Sequence, residues 1–217
     1  MIKFFLSLFI FLIAINSCVA GVSVVGTRFF IDDSTKSMNI KVVNDNDSDY
    51  LIKTTINNSG FIISPPIFIL HKNQSNIITI IPDDKNGTDN KQDEVYKLTI
   101  ATIPRSAVAS NKNVVSLAVR SHFNIIYRHK LPTDKDFDGI KLTRSQVGEW
   151  LLLNTTNFSF IISLSKDYTE NAVNKKLFLP AQKIPVNEYC SENNCSLWMN
   201  ILNEENRIVK KLNLISD

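Results

Sequence analysis

Asn113-Val114-Val115-Ser116-Leu117-Ala118-Val119-Arg120-Ser121-His122-Phe123-Asn124-Ile125-Ile126-Tyr127-Arg128 has the length and β-branched content of one long strand. Val115, Leu117 and Val119 place bulky apolar groups on one face, with smaller or polar groups between them. Nothing in the run resembles a catalytic apparatus. A strand with one apolar face and a basic end has two uses open to it. It is a core strand of its own sheet, or an edge that adds itself to the sheet of another protein by β-augmentation. Alternation alone does not separate an intramolecular core from an intermolecular one.

Working outward, the chain before this run is a series of short apolar or alternating segments. The predicted strands are Val22–Phe30, Ser37–Val43, Tyr50–Asn57, Ile67–His71, Asn76–Ile81, Tyr96–Ile103 and Val114–Tyr127. Turn clusters separate them: Asp32-Asp33-Ser34, the polar run Asn44 to Asp49, Ser64-Pro65-Pro66 and Asp83-Asp84-Lys85-Asn86-Gly87. Strands at this spacing over about 105 residues match an immunoglobulin-like sandwich. Residues 129–138 are polar, contain Pro132 and read as a linker. Further strand-like runs follow at Ile140–Arg144, Trp150–Asn154, Phe160–Leu164, Lys176–Leu179, Leu197–Leu202 and Ile208–Ile215. The expected organisation is all-β: a signal segment over residues 1–20, an immunoglobulin-like domain over 21–130 and a smaller β-sandwich domain over 131–217.

Lys3 supplies a positive n-region, Phe4 to Ile15 an apolar stretch broken only by Ser7, and Cys18-Val19-Ala20 a small-residue cleavage site. A competing reading makes Ile15-Asn16-Ser17-Cys18 a lipoprotein signal, against which Asn16 argues. No later run approaches about eighteen apolar residues, so no membrane insertion is expected after cleavage. Losing Lys3 lowers the formal net charge from +3 to +2, with Lys and Arg dispersed among acids, which argues against a nucleic-acid partner. Cys190 and Cys195 remain, and export to an oxidising compartment makes a disulfide the natural reading. With them, His71, His122 and His129 are too scattered for a metal site. No nucleophile, base or metal constellation supports an enzyme, and no cofactor motif is present.

Several local signatures coincide in order. Thr27-Arg28 precedes Phe29-Phe30-Ile31, Asn44 ends the second strand, and Tyr50-Leu51 opens the third. Phe61-Ile62-Ile63-Ser64-Pro65-Pro66-Ile67-Phe68, then Ile103-Pro104, then Tyr127-Arg128 follow. This order resembles the periplasmic chaperones of the chaperone–usher pilus pathway, over the whole first domain and more loosely over the second. Chaperone–pilin complementation is an established case of β-augmentation. The resemblance implies two immunoglobulin-like domains arranged in an L, in the periplasm, with a pilus subunit held between them for delivery to an outer-membrane usher. It implies that Val115, Leu117 and Val119 fill the groove of a pilin-like subunit that lacks its last strand. It also implies that Arg28 anchors the subunit's C-terminal carboxylate, and that Arg128 makes an interdomain ion pair, with Asp93 as candidate partner. The nine residues between Pro104 and Val114 resemble the family's short-loop branch, and the Cys190–Cys195 pair resembles a staple of some members.

One position departs from the family pattern. Asn124 stands where the resemblance implies a second anchoring lysine, and an amide donates a hydrogen bond without carrying charge. Four readings stay open: an anchor that leans on Arg28 alone, one that recruits His122 or Arg120, an atypical client, or a diverged function. Tyr127-Arg128-His129 likewise departs from a Tyr-Arg-Pro pattern. The rival function class is a secreted immunoglobulin-like adhesin or structural pilus component.

Overall fold

The computed structural model describes residues 21–83, 92–105, 116–168, 171–191 and 193–216. The signal segment and Val115 lie outside the described residues. Two β-sandwiches follow one another, each around its own core.

In the first, strands β1 (Val22–Val24), β3 (Met38–Asn44), β7 (Ser75–Pro82) and β5 (Phe61–Ser64) form one sheet in the order β1-β3-β7-β5. The facing sheet runs β2-β9-β8-β4-β6. Its strands are β2 (Arg28–Ile31), β9 (Val119–Tyr127), β8 (Glu94–Pro104), β4 (Tyr50–Ile56) and β6 (Ile67–Leu70). Alternation explains the packing: Ile40 and Val42, Leu98 and Ile100, and Ile78 and Ile80 are fully buried, while their sequence neighbours Lys41, Lys97 and Ile77 face out. The single first strand read from the sequence is two. Gly26 sits at φ +113°, a conformation that costs a glycine least, and there the chain leaves β3 and crosses to the opposite sheet. After that crossing β2 pairs with β9 in parallel.

The second sandwich stacks β10 (Ile140–Arg144), β11 (Trp150–Asn154) and β14 (Lys183–Pro185) against β13 (Lys176–Phe178), β12 (Phe160–Ser165), β15 (Ser196–Leu202) and β16 (Ile208–Ile215). Trp150, Leu152, Phe158, Phe160, Phe178, Leu197 and Met199 fill its core. A 3₁₀ turn over Asp134–Gly139 occupies the stretch read as linker. Cys190 and Cys195 are joined by a disulfide against this second core.

Candidate functional site

β9 has a neighbour along all of one side and along half of the other. β8 pairs with it from Val119 opposite Thr102 to Tyr127 opposite Glu94. β2 covers only Asn124 to Tyr127. From Val119 to Phe123 the second edge is bare among the described residues. The strand starts at Val119, and Pro104 supplies the reason; the expected start at Val114 lies outside the described residues. Continuing the β8–β9 register sets Leu117 opposite Pro104, which has no N–H to donate, so the ladder stops. Along β9, Phe123, Ile125 and Tyr127 point into the first core. Val119 shares their parity yet is 56% exposed, and Leu117 just before it is 76% exposed. Burial in the chain's own sandwich therefore holds for the C-terminal half of this run and fails for Leu117 and Val119. Bulky apolar groups beside an unpaired edge invite another strand.

Where the bare edge ends, Arg28 begins β2. Arg28 is the register partner of Asn124, so the two lie side by side on the outward face. Arg28 donates from Nη1 to Asn206 Oδ1 at 2.7 Å. Asn206 sits at φ +64° in the turn between β15 and β16, so the second sandwich reaches back to the same point. Partial burial holds the Arg28 guanidinium below the usual arginine range, and it stays protonated. On the other side of Asn124, Lys97 is its register partner on β8, exposed on the same face. Arg28, Asn124 and Lys97 thus form one row across three strands. His122, one row away, shares a hydrogen bond with Thr99 Oγ1 at 2.9 Å from its Nδ1. Arg120 lies exposed a row further on.

Arg128 and Asp93 meet where the sandwiches join. Arg128 donates from Nε at 2.9 Å and from Nη2 at 2.7 Å to Asp93 Oδ2, and Nη2 also donates to the Ser159 carbonyl at 2.5 Å. Asp93 accepts the Ser159 N–H at 2.8 Å, and its own N–H donates to the Asn157 carbonyl. The guanidinium lies between the Phe30 and Phe158 rings, 5.2 and 5.6 Å from their centroids. The Asp93 side chain is 2% exposed and that of Arg128 13%. Beside this latch a cleft of about 700 Å³, lined by Phe30, Arg128, Ile161, Ile201 and Lys210 among others, separates the two units.

Sequence reasoning singled out Arg28, Asn124, Arg128 and Asp93 but passed over Asn206, Lys97 and the two phenylalanines around Arg128. Those contacts depend on register between strands distant in sequence, which no local pattern reports. Among the described residues no group of three or more His, Cys, Asp or Glu side chains is placed to hold a metal, and no helix is long and apolar enough to cross a membrane.

Residues 21–131 match the model of the pili and flagellar-assembly chaperones, PapD N-terminal domain. Chaperone protein LpfB of Salmonella typhimurium (strain LT2) is 29% identical over 181 residues, covering 79% of this chain and 78% of LpfB. Chaperone protein FimC of Escherichia coli O6:H1 is 24% identical over 192 residues, covering 82% and 79%. Among solved structures, a chain of the Salmonella enterica SafA pilin–SafB chaperone complex superposes with a TM-score of 0.70 at 15% identity. That superposition covers 91% of this chain and 97% of the other, and at this identity it speaks for the fold.

Proposed function

This chain belongs to the family of pili and flagellar-assembly chaperones, and we propose that it holds a pilus subunit by lending the bare edge of β9 to the subunit's incomplete sandwich. It is a periplasmic, non-enzymatic chaperone that stabilises pilin-like subunits and passes them to an outer-membrane usher. Family membership sets aside the adhesin or pilus-component reading. The observation that carries the mechanism is the edge of β9 from Val119 to Phe123, unpaired on one side among the described residues, preceded by exposed Leu117 and ending at Arg28.

The direction of the added strand follows from charge. β2 runs parallel to β9 and begins at Arg28, so an incoming strand aligned the same way ends in front of the guanidinium. It then presents its terminal carboxylate to Arg28 and Asn124. An antiparallel strand would bring an N-terminal ammonium to the same place, where like charges repel. Leu117 and Val119, with Val115 before them, are the side chains that fill the subunit's groove. Each large apolar side chain fully buried there contributes about 1.5–3 kcal/mol.

The test is capture of a co-expressed pilin-like subunit in the periplasm, read by co-purification with tagged chaperone. Leu117→Asp places an unpaired charge in an apolar groove, which costs several kcal/mol and lowers capture by more than about 100-fold while circular dichroism stays unchanged. Arg28→Ala removes the guanidinium from a buried charge pair, about 2–5 kcal/mol, and lowers capture well over tenfold. Undiminished capture by Leu117→Asp would refute strand donation.

A further inference from the structure

Resting on the strand-donation reading, we propose that Lys97 supplies the second positive charge of the carboxylate anchor, from the strand next to the one on which Asn124 stands uncharged. The row is set by register: Lys97 pairs with Asn124 across β8–β9, and Asn124 pairs with Arg28 across β9–β2. Register partners share a face. Tyr96 and Leu98, on either side of Lys97, are buried in the first core, which turns Lys97 outward. Neighbouring strands lie about 4.8 Å apart, so the Lys97 and Arg28 backbones flank Asn124 at a separation of about 10 Å. A four-carbon stem with a three-donor ammonium bridges that gap to a carboxylate seated over the Asn124 amide.

What surrounds Lys97 favours the assignment. Both of its backbone groups are engaged by Asn57: the Lys97 N–H donates to Asn57 Oδ1 at 2.8 Å and its carbonyl accepts the Asn57 N–H at 3.2 Å. The strand is therefore held while the exposed ammonium is oriented by solvent and by whatever binds. The outward face of the five-stranded sheet carries Arg28, Lys53, Lys97 and Arg120. Its described strand residues include no carboxylate to compete for them. The other helpers are worse placed. His122 lies one row off and is engaged by Thr99. Arg120 is four residues from Asn124, about 13 Å along the strand. The charge that a lysine at position 124 would bring thus comes from the side, and Asn124 acts as a neutral donor between two cations.

The experiment measures capture of the co-expressed pilin-like subunit by wild type, Lys97→Met, Lys97→Arg, Asn124→Lys and the Lys97→Met/Asn124→Lys double variant, with Leu117→Asp alongside. Lys97→Met should lower capture about tenfold at about 0.05 M salt, and by less at about 0.5 M, as screening of a partly exposed pair requires. Lys97→Arg should retain capture. Asn124→Lys should restore it in the Lys97→Met background, because the charge returns to the same row. Wild-type capture by Lys97→Met, with capture by Leu117→Asp lost, overturns the role of Lys97 and leaves strand donation standing. A loss in Lys97→Met that Asn124→Lys does not repair also overturns it, since the deficit is then not one of charge. Full capture by Leu117→Asp removes strand donation and this proposal together.

Discussion

Asn44 and Asn154 occupy equivalent corners of the two sandwiches, and both are fully buried. Asn44 donates from Nδ2 to the carbonyls of Ser48, Leu70 and His71, at 2.8, 3.3 and 3.0 Å, and accepts the Asn46 N–H. Asn154 donates to Phe158, Phe178 and Leu179, at 2.8, 3.4 and 3.0 Å, and accepts the Thr156 N–H. One amide in each unit closes a turn four residues ahead and ties it to a strand end more than twenty residues away. The edges differ where the corners agree. In the second sandwich β15 is paired on both sides, by β12 and β16, over most of its length. In the first, β9 keeps half of one edge bare among the described residues, beside exposed Leu117 and Val119. What both units keep is what closing such a sandwich demands. What only the first leaves open is not demanded by folding, and the proposed use of that edge is to receive a partner.

The sharpest way to break the comparison is to uncouple the two units. Asp93 belongs to the first sandwich but accepts hydrogen bonds from Arg128 and from the Ser159 backbone of the second. Arg128→Ala leaves a carboxylate at 2% exposure with its cation gone, which costs about 3–5 kcal/mol. Urea unfolding should then shift strongly and resolve into two transitions, and a single unshifted transition would show that the latch does not couple the units. Capture should fall as well, because Arg28 and its partner Asn206 come from opposite sides of the same junction.

The equivalence of the corners is tested next. Asn44→Ala strips the donor from three carbonyls at a buried corner, and Asn154→Ala does the same in the other unit. An unsatisfied buried group costs about 1–3 kcal/mol, and partial rescue by water keeps the total near 3 kcal/mol in each case. Chemical denaturation should place the two losses within about 1 kcal/mol of each other. A large asymmetry would mean that one corner is closed by its apolar packing and not by its amide.

Much of the second unit was readable locally: the predicted bounds of β10, β11 and β16 coincide with the observed strands. These segments are short apolar or partly alternating runs bounded by polar residues. β5 and β14 were passed over, the first because Phe61–Ser64 leads into two prolines and the second because three residues ending in Pro185 carry little pattern. The break between β1 and β2 was hidden because the apolar pattern runs on through Gly26 while the backbone changes sheets. At the site, Arg28, Asn124, Arg128 and Asp93 were reached through motif order. The row they form with Lys97, and the bond from Arg28 to Asn206, depend on which strands lie side by side.

The smallest effect is expected at Cys190–Cys195, and its size sharpens the division between the units. The bridge closes a loop of only a few residues, for which loop-closure entropy predicts about 2 kcal/mol. The loop already holds itself: the Ser191 N–H donates to the Asn194 carbonyl at 2.9 Å, and the Asn194 N–H to Ser191 Oγ at 3.2 Å. Trp150 ties it to the second core through Nε1, which donates to the Ser191 carbonyl at 2.9 Å. Those bonds persist without the disulfide, so Cys190→Ser should cost no more than about 2 kcal/mol. The whole assembly lies in the second sandwich, away from β9 and from the Arg28 row. Subunit capture well below the unfolding midpoint should therefore match wild type, although thermal unfolding comes earlier. If Cys190→Ser weakens capture under conditions where the chain is fully folded, the second sandwich contributes to the subunit directly. The bare edge of β9 would then no longer account for binding by itself.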